Sequence, residues 1–185
     1  THQPFGALGF AVYARNDKLP PELKKEVSEK IQDAFNGATN PSYQGAMAIG
    51  LGLLDARSAA EDLWKKYEDS NDAPLKGYIA VSLGLMRVTA RSEALREEIR
   101  KKGLEQKFRL QLARALGLMS DAEALPALIE YLQNAETLAE ISAAAQAVGL
   151  IGDKTAVEPL LKIVRNESKQ PMSRGFAEVA LGILA

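Results

Sequence analysis

Side chains able to carry reaction chemistry are sparse in this 185-residue chain, which has one histidine, His2, and no cysteine. A single histidine beside the start of the chain cannot build a Ser-His-Asp triad or a histidine-rich metal centre. Without cysteine there is no thiolate nucleophile, thiolate zinc site, iron–sulfur cluster or disulfide. No glycine-rich loop ends in the Lys-Ser/Thr pair that cradles phosphate. The triplet Gly50-Leu51-Gly52 falls inside a predicted helix, so it reads as packing rather than as a dinucleotide fingerprint. The expectation is therefore no catalytic, metal-binding or cofactor-binding residues, no cofactor and no enzymatic activity.

Charge is distributed in bands. Residues 55–72 carry three basic against six acidic residues, residues 87–109 eight against four, and residues 121–140 five acidic and no basic ones. Neighbour-to-neighbour pairing along a repeating structure accounts for such alternation, each exposed pair contributing only about 0–1 kcal/mol. A banded surface matched to a partner of opposite pattern also accounts for it. The net charge of −1 argues against nucleic acid as a general partner, although the basic band 87–109 leaves that reading open as a weaker alternative. No apolar run reaches the roughly 18 residues of a membrane-spanning helix, so no membrane insertion and a soluble chain are expected, with the compartment unassigned.

The elements that would position these charges repeat. Leu51-Gly52-Leu53, Leu83-Gly84-Leu85, Leu116-Gly117-Leu118, Val148-Gly149-Leu150 and Leu181-Gly182-Ile183 place glycine at steps of 32 or 33 residues, and Leu8-Gly9-Phe10 adds a more distant copy. A fixed period in this range marks stacked helical pairs, because one pair cannot bury both of its apolar faces. In each pair a small-residue-rich A helix ends at the glycine motif. Glycine recurring there implies a close approach of backbones or a helix end.

A B helix follows a short turn. Asp153 is placed to cap the fifth, whose apolar face is Ala156, Val157, Leu160, Leu161 and Val164. Asp121 precedes Ala124, Leu125, Leu128, Ile129 and Leu132 in the fourth, and Ala59, Ala60, Leu63, Trp64 and Tyr67 hold the same offsets in the second. Trp64 is thus expected in the core. The third reads as Ala94, Leu95 and Ile99, displaced by three residues through a longer turn. The first, PPELKKEVSEKIQDAF, spaces Leu23, Val27, Ile31 and Phe35 four apart.

Side chains of the B helices that lie off this stripe are expected to face outward or into the concavity. The candidate partner-binding residues are Lys65, Lys66, Arg96, Arg100, Lys101, Glu130, Tyr131, Glu158 and Lys162. Glu61, Asp62, Glu97, Asn134, Ile163 and Asn166 share this outward set. Tyr131 stands out because tyrosine is favoured at binding hot spots, with a packing role as the competing reading.

The stretch QAVGLIGDKTAVEPLLKIV resembles the HEAT repeat family, in particular the short HEAT-like repeats also found in phycobilisome lyases. A basic residue eight positions before the glycine fits the family in Lys76, Arg109 and Arg174, whereas Gln44 and Ile141 depart from it. The resemblance covers residues 5–185. It implies an all-α, right-handed α-solenoid of about five antiparallel helix pairs plus a terminal helix. The repeats of this one domain are expected near 5–40, 43–70, 75–102, 107–134 and 139–167, with a half repeat at 173–185. The B helices would line the concave surface.

The function expected on this basis is a non-catalytic protein-interaction scaffold, whose partner is a protein or peptide on that surface. The alternative is an accessory repeat domain that positions a catalytic or pigment-carrying domain, as in phycobilin lyases, although no residue motif beyond the repeat points to a tetrapyrrole pocket. The last helix lacks a B partner. That suggests a longer natural polypeptide or self-association through residues 173–185.

Overall fold

The computed structural model describes residues 20–185 together with Gly6, Gly9, Ala11 and Val12. The expectations for His2, Leu8 and Phe10 lie outside the described residues. The chain divides into two compact units, Thr1–Val88 and Thr89–Ala185. Among the described residues the regular elements are helices. The first unit holds α1 (Pro21–Gly37), α2 (Pro41–Leu53), α3 (Ala60–Asp69) and α4 (Ala73–Leu85). The second holds α5 (Ser92–Ile99), α6 (Gln106–Leu118), α7 (Leu125–Asn134), α8 (Leu138–Ile151), α9 (Val157–Arg165) and α10 (Pro171–Leu184). This is an all-α solenoid architecture. No helix among the described residues is long and apolar enough to cross a membrane.

The A helices are α2, α4, α6, α8 and α10, each ending at its glycine motif. They pack on one another, α2 with α4 in the first unit and α6 with α8 and α8 with α10 in the second. Each also packs on a B helix, as α1 does on α2 and α7 on α8. The A helices therefore bury residues around most of their circumference, such as Gln44, Gly45, Met47, Ala48, Gly50, Leu51 and Gly52 in α2. The B helices bury one stripe, as in Leu63, Trp64 and Tyr67 of α3. Trp64 is in the core as expected and stacks on Tyr67, ring centroids 4.9 Å apart.

The repeated glycine is a point of backbone contact. A Cβ at Gly52 would lie 2.9 Å from Ser82 Cα, and one at Gly117 would lie 2.7 Å from Ala147 Cα. Ser82 and Ala147 each sit two residues before the next glycine, so the contact recurs in register. At Gly149 the intruder is the Ile183 side chain, 3.0 Å away. Ser82 is fully buried, and its hydroxyl donates to Ala48 O at 2.6 Å, which satisfies a polar group inside the contact.

The turn after each A helix is uniform. Asp55, Arg87 and Ser120 have φ of 52°, 52° and 55°, and Gly152 has 73°. Each of these residues stands three positions after its glycine. At three of them the residue's own amide and the next close back on the helix: Asp55 N–H donates to Gly52 O at 3.1 Å and Ala56 N–H to Leu51 O at 3.0 Å, with counterparts at Arg87 and Ser120. This is the Schellman arrangement, here built on non-glycine residues, for which left-handed backbone costs about 1–2 kcal/mol. A short 3-10 turn follows, and every B helix from α3 onward begins eight residues after the glycine. Asp121 and Asp153 cap those 3-10 turns through Glu123 N and Thr155 N rather than capping the α-helices themselves.

Several expectations are corrected here. The third repeat has no longer turn: α5 starts at Ser92, in the same register as Ala60, Leu125 and Val157. Ser92, Leu95 and Ile99 are its buried residues and Ala94 is exposed. Arg96 thus occupies the position of Trp64, Ile129 and Leu161. Leu23 is exposed, so the inward face of α1 is carried by Ser28, Ile31 and Phe35. Ile163 is buried rather than outward, and Ala127 and Tyr131 are buried beside Leu128 and Leu132. The apolar face of α7 and α9 is wider than the i, i+3, i+4 stripe because one flank meets the neighbouring A helix as well.

Gly117→Ala should lower the free energy of unfolding by roughly 1–3 kcal/mol, since the added methyl meets backbone that cannot swing aside. Urea denaturation reads this directly, and an unchanged midpoint would refute the close-contact role.

Candidate functional site

At three of the five glycines the side chain eight residues earlier reaches back to the end of the preceding B helix or just beyond it. Arg109 Nη2 donates to Lys101 O at 2.9 Å, and Arg174 Nε to Val164 O at 3.0 Å. Gln44 does the same with its amide, Nε2 donating to Ala38 O at 2.9 Å and to Phe35 O at 3.4 Å. The last carbonyls of a helix have no partner within it, and a cation also complements the negative end of the dipole. Lys76 instead places its ammonium 4.5 Å from the centroid of the Tyr67 ring.

Two clefts open beside this position, one in each unit. In the first unit a cleft of about 370 Å³ is lined by Asn36, Gln44, Asp62, Lys65, Lys66 and Asp69, among others. In the second, a cleft of about 290 Å³ is lined by Arg100, Arg109, Glu130, Tyr131, Asn134 and Glu140, among others. The walls are equivalent in the repeat. Residues 10, 13, 14 and 17 after the glycine line both, as Asp62, Lys65, Lys66 and Asp69 in one and Ala127, Glu130, Tyr131 and Asn134 in the other.

In the second cleft Tyr131 is buried at 7% exposure, and its phenol oxygen makes no hydrogen bond of acceptable geometry. Burial pushes the phenol well above its ordinary range, the nearby Glu140 carboxylate adds to this, and Arg109 opposes it. The Arg109 guanidinium lies 5.9 Å from the Tyr131 ring centroid. Glu140 closes a capping box at the start of α8: it accepts from Thr137 N at 3.1 Å while Thr137 Oγ1 accepts from Glu140 N at 3.3 Å. Burial works against the Glu140 carboxylate, but hydrogen bonds from Gln106, Thr137 and Glu136 together hold it below its usual range. The cleft therefore combines a carboxylate fixed on Glu140, an exposed carboxylate on Glu130, an exposed guanidinium on Arg100 and a buried phenol. That set can take up a ligand bearing both carboxylates and N–H donors.

The structure brings some of the expected residues together and separates others. Arg100, Glu130 and Tyr131 share the second cleft, and Lys65 and Lys66 line the first. Tyr131 is buried in the cleft wall, where the widened face of α7 turns its ring inward, in line with its packing reading. Arg96 is corrected from an outward contact to a structural one. It bonds Asp121 Oδ1 at 2.9 Å and Glu123 Oε2 at 2.9 Å, with the Arg96 and Asp121 side chains only 14% and 10% exposed. Lys101 is exposed and pairs with Glu98 at 2.7 Å. Glu158 and Lys162 are exposed on α9 and are not brought into either cleft. Sequence reasoning passed over Gln44, Arg109 and Glu140 as site residues, although their constant offset from the glycine was the signal that could have found the first two.

Comparison with known proteins bears on the same segment. Residues 92–181, which contain every residue named in the second cleft, match the family pattern of the HEAT repeats. This segment is similar to HEAT repeats. The chain is also similar to two curated proteins named bilin biosynthesis protein PecE. It is 34% identical to the one from Mastigocladus laminosus over 109 residues, covering 54% of this chain and 39% of that protein. It is 44% identical to the one from a Nostoc species over 64 residues, covering 35% of this chain and 25% of that protein. The chain thus spans well under half the length of these relatives. The resemblance to the HEAT-like repeats of phycobilisome lyases holds. The expectation of no enzymatic role does not, because both relatives are named for a biosynthetic activity.

Arg96→Ala should destabilise the second unit by about 2 kcal/mol, since it leaves the Asp121 carboxylate nearly buried without its cation. Equal thermal midpoints for variant and wild type would count against this structural role. Glu140→Gln keeps the capping-box geometry but removes the charge. Because the folded carboxyl titrates below its ordinary value of 4.5, ionised Glu140 stabilises above that value, and this contribution is lost as pH falls through the lower folded value. Wild type should therefore lose stability more steeply than Glu140→Gln on acidification below about pH 4.5. Parallel curves would contradict it.

Proposed function

We propose that this protein takes part in bilin biosynthesis as the repeat component of a lyase-type activity. Its HEAT repeats hold the open-chain tetrapyrrole, and the protein that carries or receives it, while attachment proceeds. The similarity to two bilin biosynthesis proteins carries this reading. The second cleft supports it. A bilin presents propionate carboxylates at one edge and pyrrole or lactam N–H groups along the other. Arg100 at the rim suits a propionate, and Glu130 with the Tyr131 phenol oxygen suits the N–H edge. HEAT repeats suit protein partners, and the exposed Lys65, Lys101, Glu158 and Lys162 are the contacts proposed for the protein client. Self-association through α10 belongs to the same proposal, with Val179 and Ile183, each about half exposed, as its contacts.

Titration of the protein with biliverdin, followed by visible absorbance, tests the cleft. Saturable binding with a shifted long-wavelength band is expected, weakened about tenfold by Arg100→Glu and less by Tyr131→Phe. No spectral change up to the solubility of biliverdin, or equal binding by both variants, would overturn the assignment.

A further inference from the structure

The last residues of α1 are Asn36 and Gly37, and both are exposed. An asparagine followed by glycine can react with its own main chain. The Gly37 nitrogen attacks Asn36 Cγ, forms a C–N bond and expels Nδ2 as ammonia, which carries away the Gly37 amide proton. Water then opens the cyclic imide. Cleavage at Cγ leaves aspartate, and cleavage at the main-chain carbonyl reroutes the backbone through Cγ as isoaspartate. Glycine favours the attack because no Cβ screens the nitrogen or restricts the backbone. Among the described residues the other asparagines, Asn40, Asn71, Asn134 and Asn166, precede Pro41, Asp72, Ala135 and Glu167.

The fold does not require glycine at this position. A Cβ at Gly37 would meet nothing within 4 Å, and its backbone is not left-handed. What the fold controls is access. Gly37 is helical, so its nitrogen reaches Asn36 Cγ only when the last turn of α1 opens. Gln44 of α2 holds that turn closed: Nε2 donates to Phe35 O at 3.4 Å and to Ala38 O at 2.9 Å, on either side of the reactive pair. The Asn36 amide is also tied to α3, Nδ2 donating to Asp62 Oδ2 at 2.8 Å. Conversion replaces this donor by a carboxylate. Asp62 would keep Gln32 Nε2, at 2.7 Å, and lose Asn36, the foremost of the hydrogen bonds that hold its carboxyl below the usual range. A bond between α1 and α3 becomes a repulsion between like charges.

From this geometry we infer that Asn36-Gly37 is a spontaneous deamidation site, converted to aspartate or isoaspartate when the end of α1 opens, with the Gln44 amide as its latch. The modified first-unit cleft gains a negative charge beside Asp62 and Asp69 and loses the tie between α1 and α3. The site uses no residue of the second cleft and does not depend on the bilin reading.

In the test the full chain is aged in mildly alkaline buffer, and peptide mapping by mass spectrometry follows each asparagine. Asn36 should convert before Asn40, Asn71, Asn134 and Asn166. Gly37→Ala should slow Asn36 by about tenfold without lowering the melting temperature. Gln44→Ala should speed it by about fivefold, whereas Gln44→Arg, which keeps the cap as Arg109 and Arg174 do, should leave it slow. Melting curves check that the compared variants are folded. Wild type in sub-denaturing urea gives the same test without substitution: conversion of Asn36 should rise in step with hydrogen exchange at the Gly37 amide. Asn36→Asp should move the Asp62 titration, read by NMR, up toward its ordinary range. The proposal is overturned if another of these asparagines converts first, if Gly37→Ala ages as fast as wild type, if the Asn36 rate ignores both Gln44→Ala and urea-induced opening, or if Asn36→Asp leaves Asp62 unmoved.

Discussion

The rest of the structure depends on how closely one A helix approaches the next. At Gly52 and Gly117 the neighbouring backbone stands where a side chain would begin, 2.9 Å and 2.7 Å from the missing Cβ. Helices this close must meet through small residues, which is why Ala, Ser and Gly crowd these segments and why their apolar burial runs nearly all the way round. The spacing fixes where each A helix ends, and the left-handed residue three positions later fixes where the chain turns. The B helix then starts at a constant offset whatever its own composition. A third-repeat B helix that presents Ser92 and Arg96 where its neighbours carry apolar residues still takes its place.

Much of this was legible in the residues. The glycine period gave the helical pairs and their ends, and the constant offset placed Trp64 in the core, because both signals rest on packing that repeats. The third repeat was misread for a physical reason. Hydrophobicity at Ala94 suggested a shifted register, whereas register is set by the turn and Arg96 fits a core position by meeting two carboxylates there. Ile163 was placed outward because a single stripe was assumed, whereas the burial of Tyr131 agrees with its packing reading. A helix touched by both its own hairpin partner and a neighbouring A helix needs a wider face.

The site was legible only in outline. Charged residues on the B helices were the right population to inspect, and Arg100, Glu130, Tyr131, Lys65 and Lys66 do line clefts. Which of their neighbours matter is a question of orientation. Nothing in the letter Q at position 44 says that its amide closes the end of the helix before it. The capping role of Arg109 and Arg174 was likewise hidden behind a family regularity whose cause is the unpartnered carbonyls of the preceding helix. The proposed link to bilin biosynthesis rests on similarity to relatives rather than on any constellation legible in the residues.

The capping side chains at Gln44, Arg109 and Arg174 have one more consequence. Each bonds the end of a helix of the hairpin before its own, or for Arg109 the turn just after it. The end of α1 or α9, and the turn just beyond α5, is thus completed by a residue supplied later along the polypeptide. A nascent chain emerging from the ribosome would hold each such helix with a frayed tip until its successor folds against it. Order would then advance as a ratchet along the chain, with every click securing the step already taken.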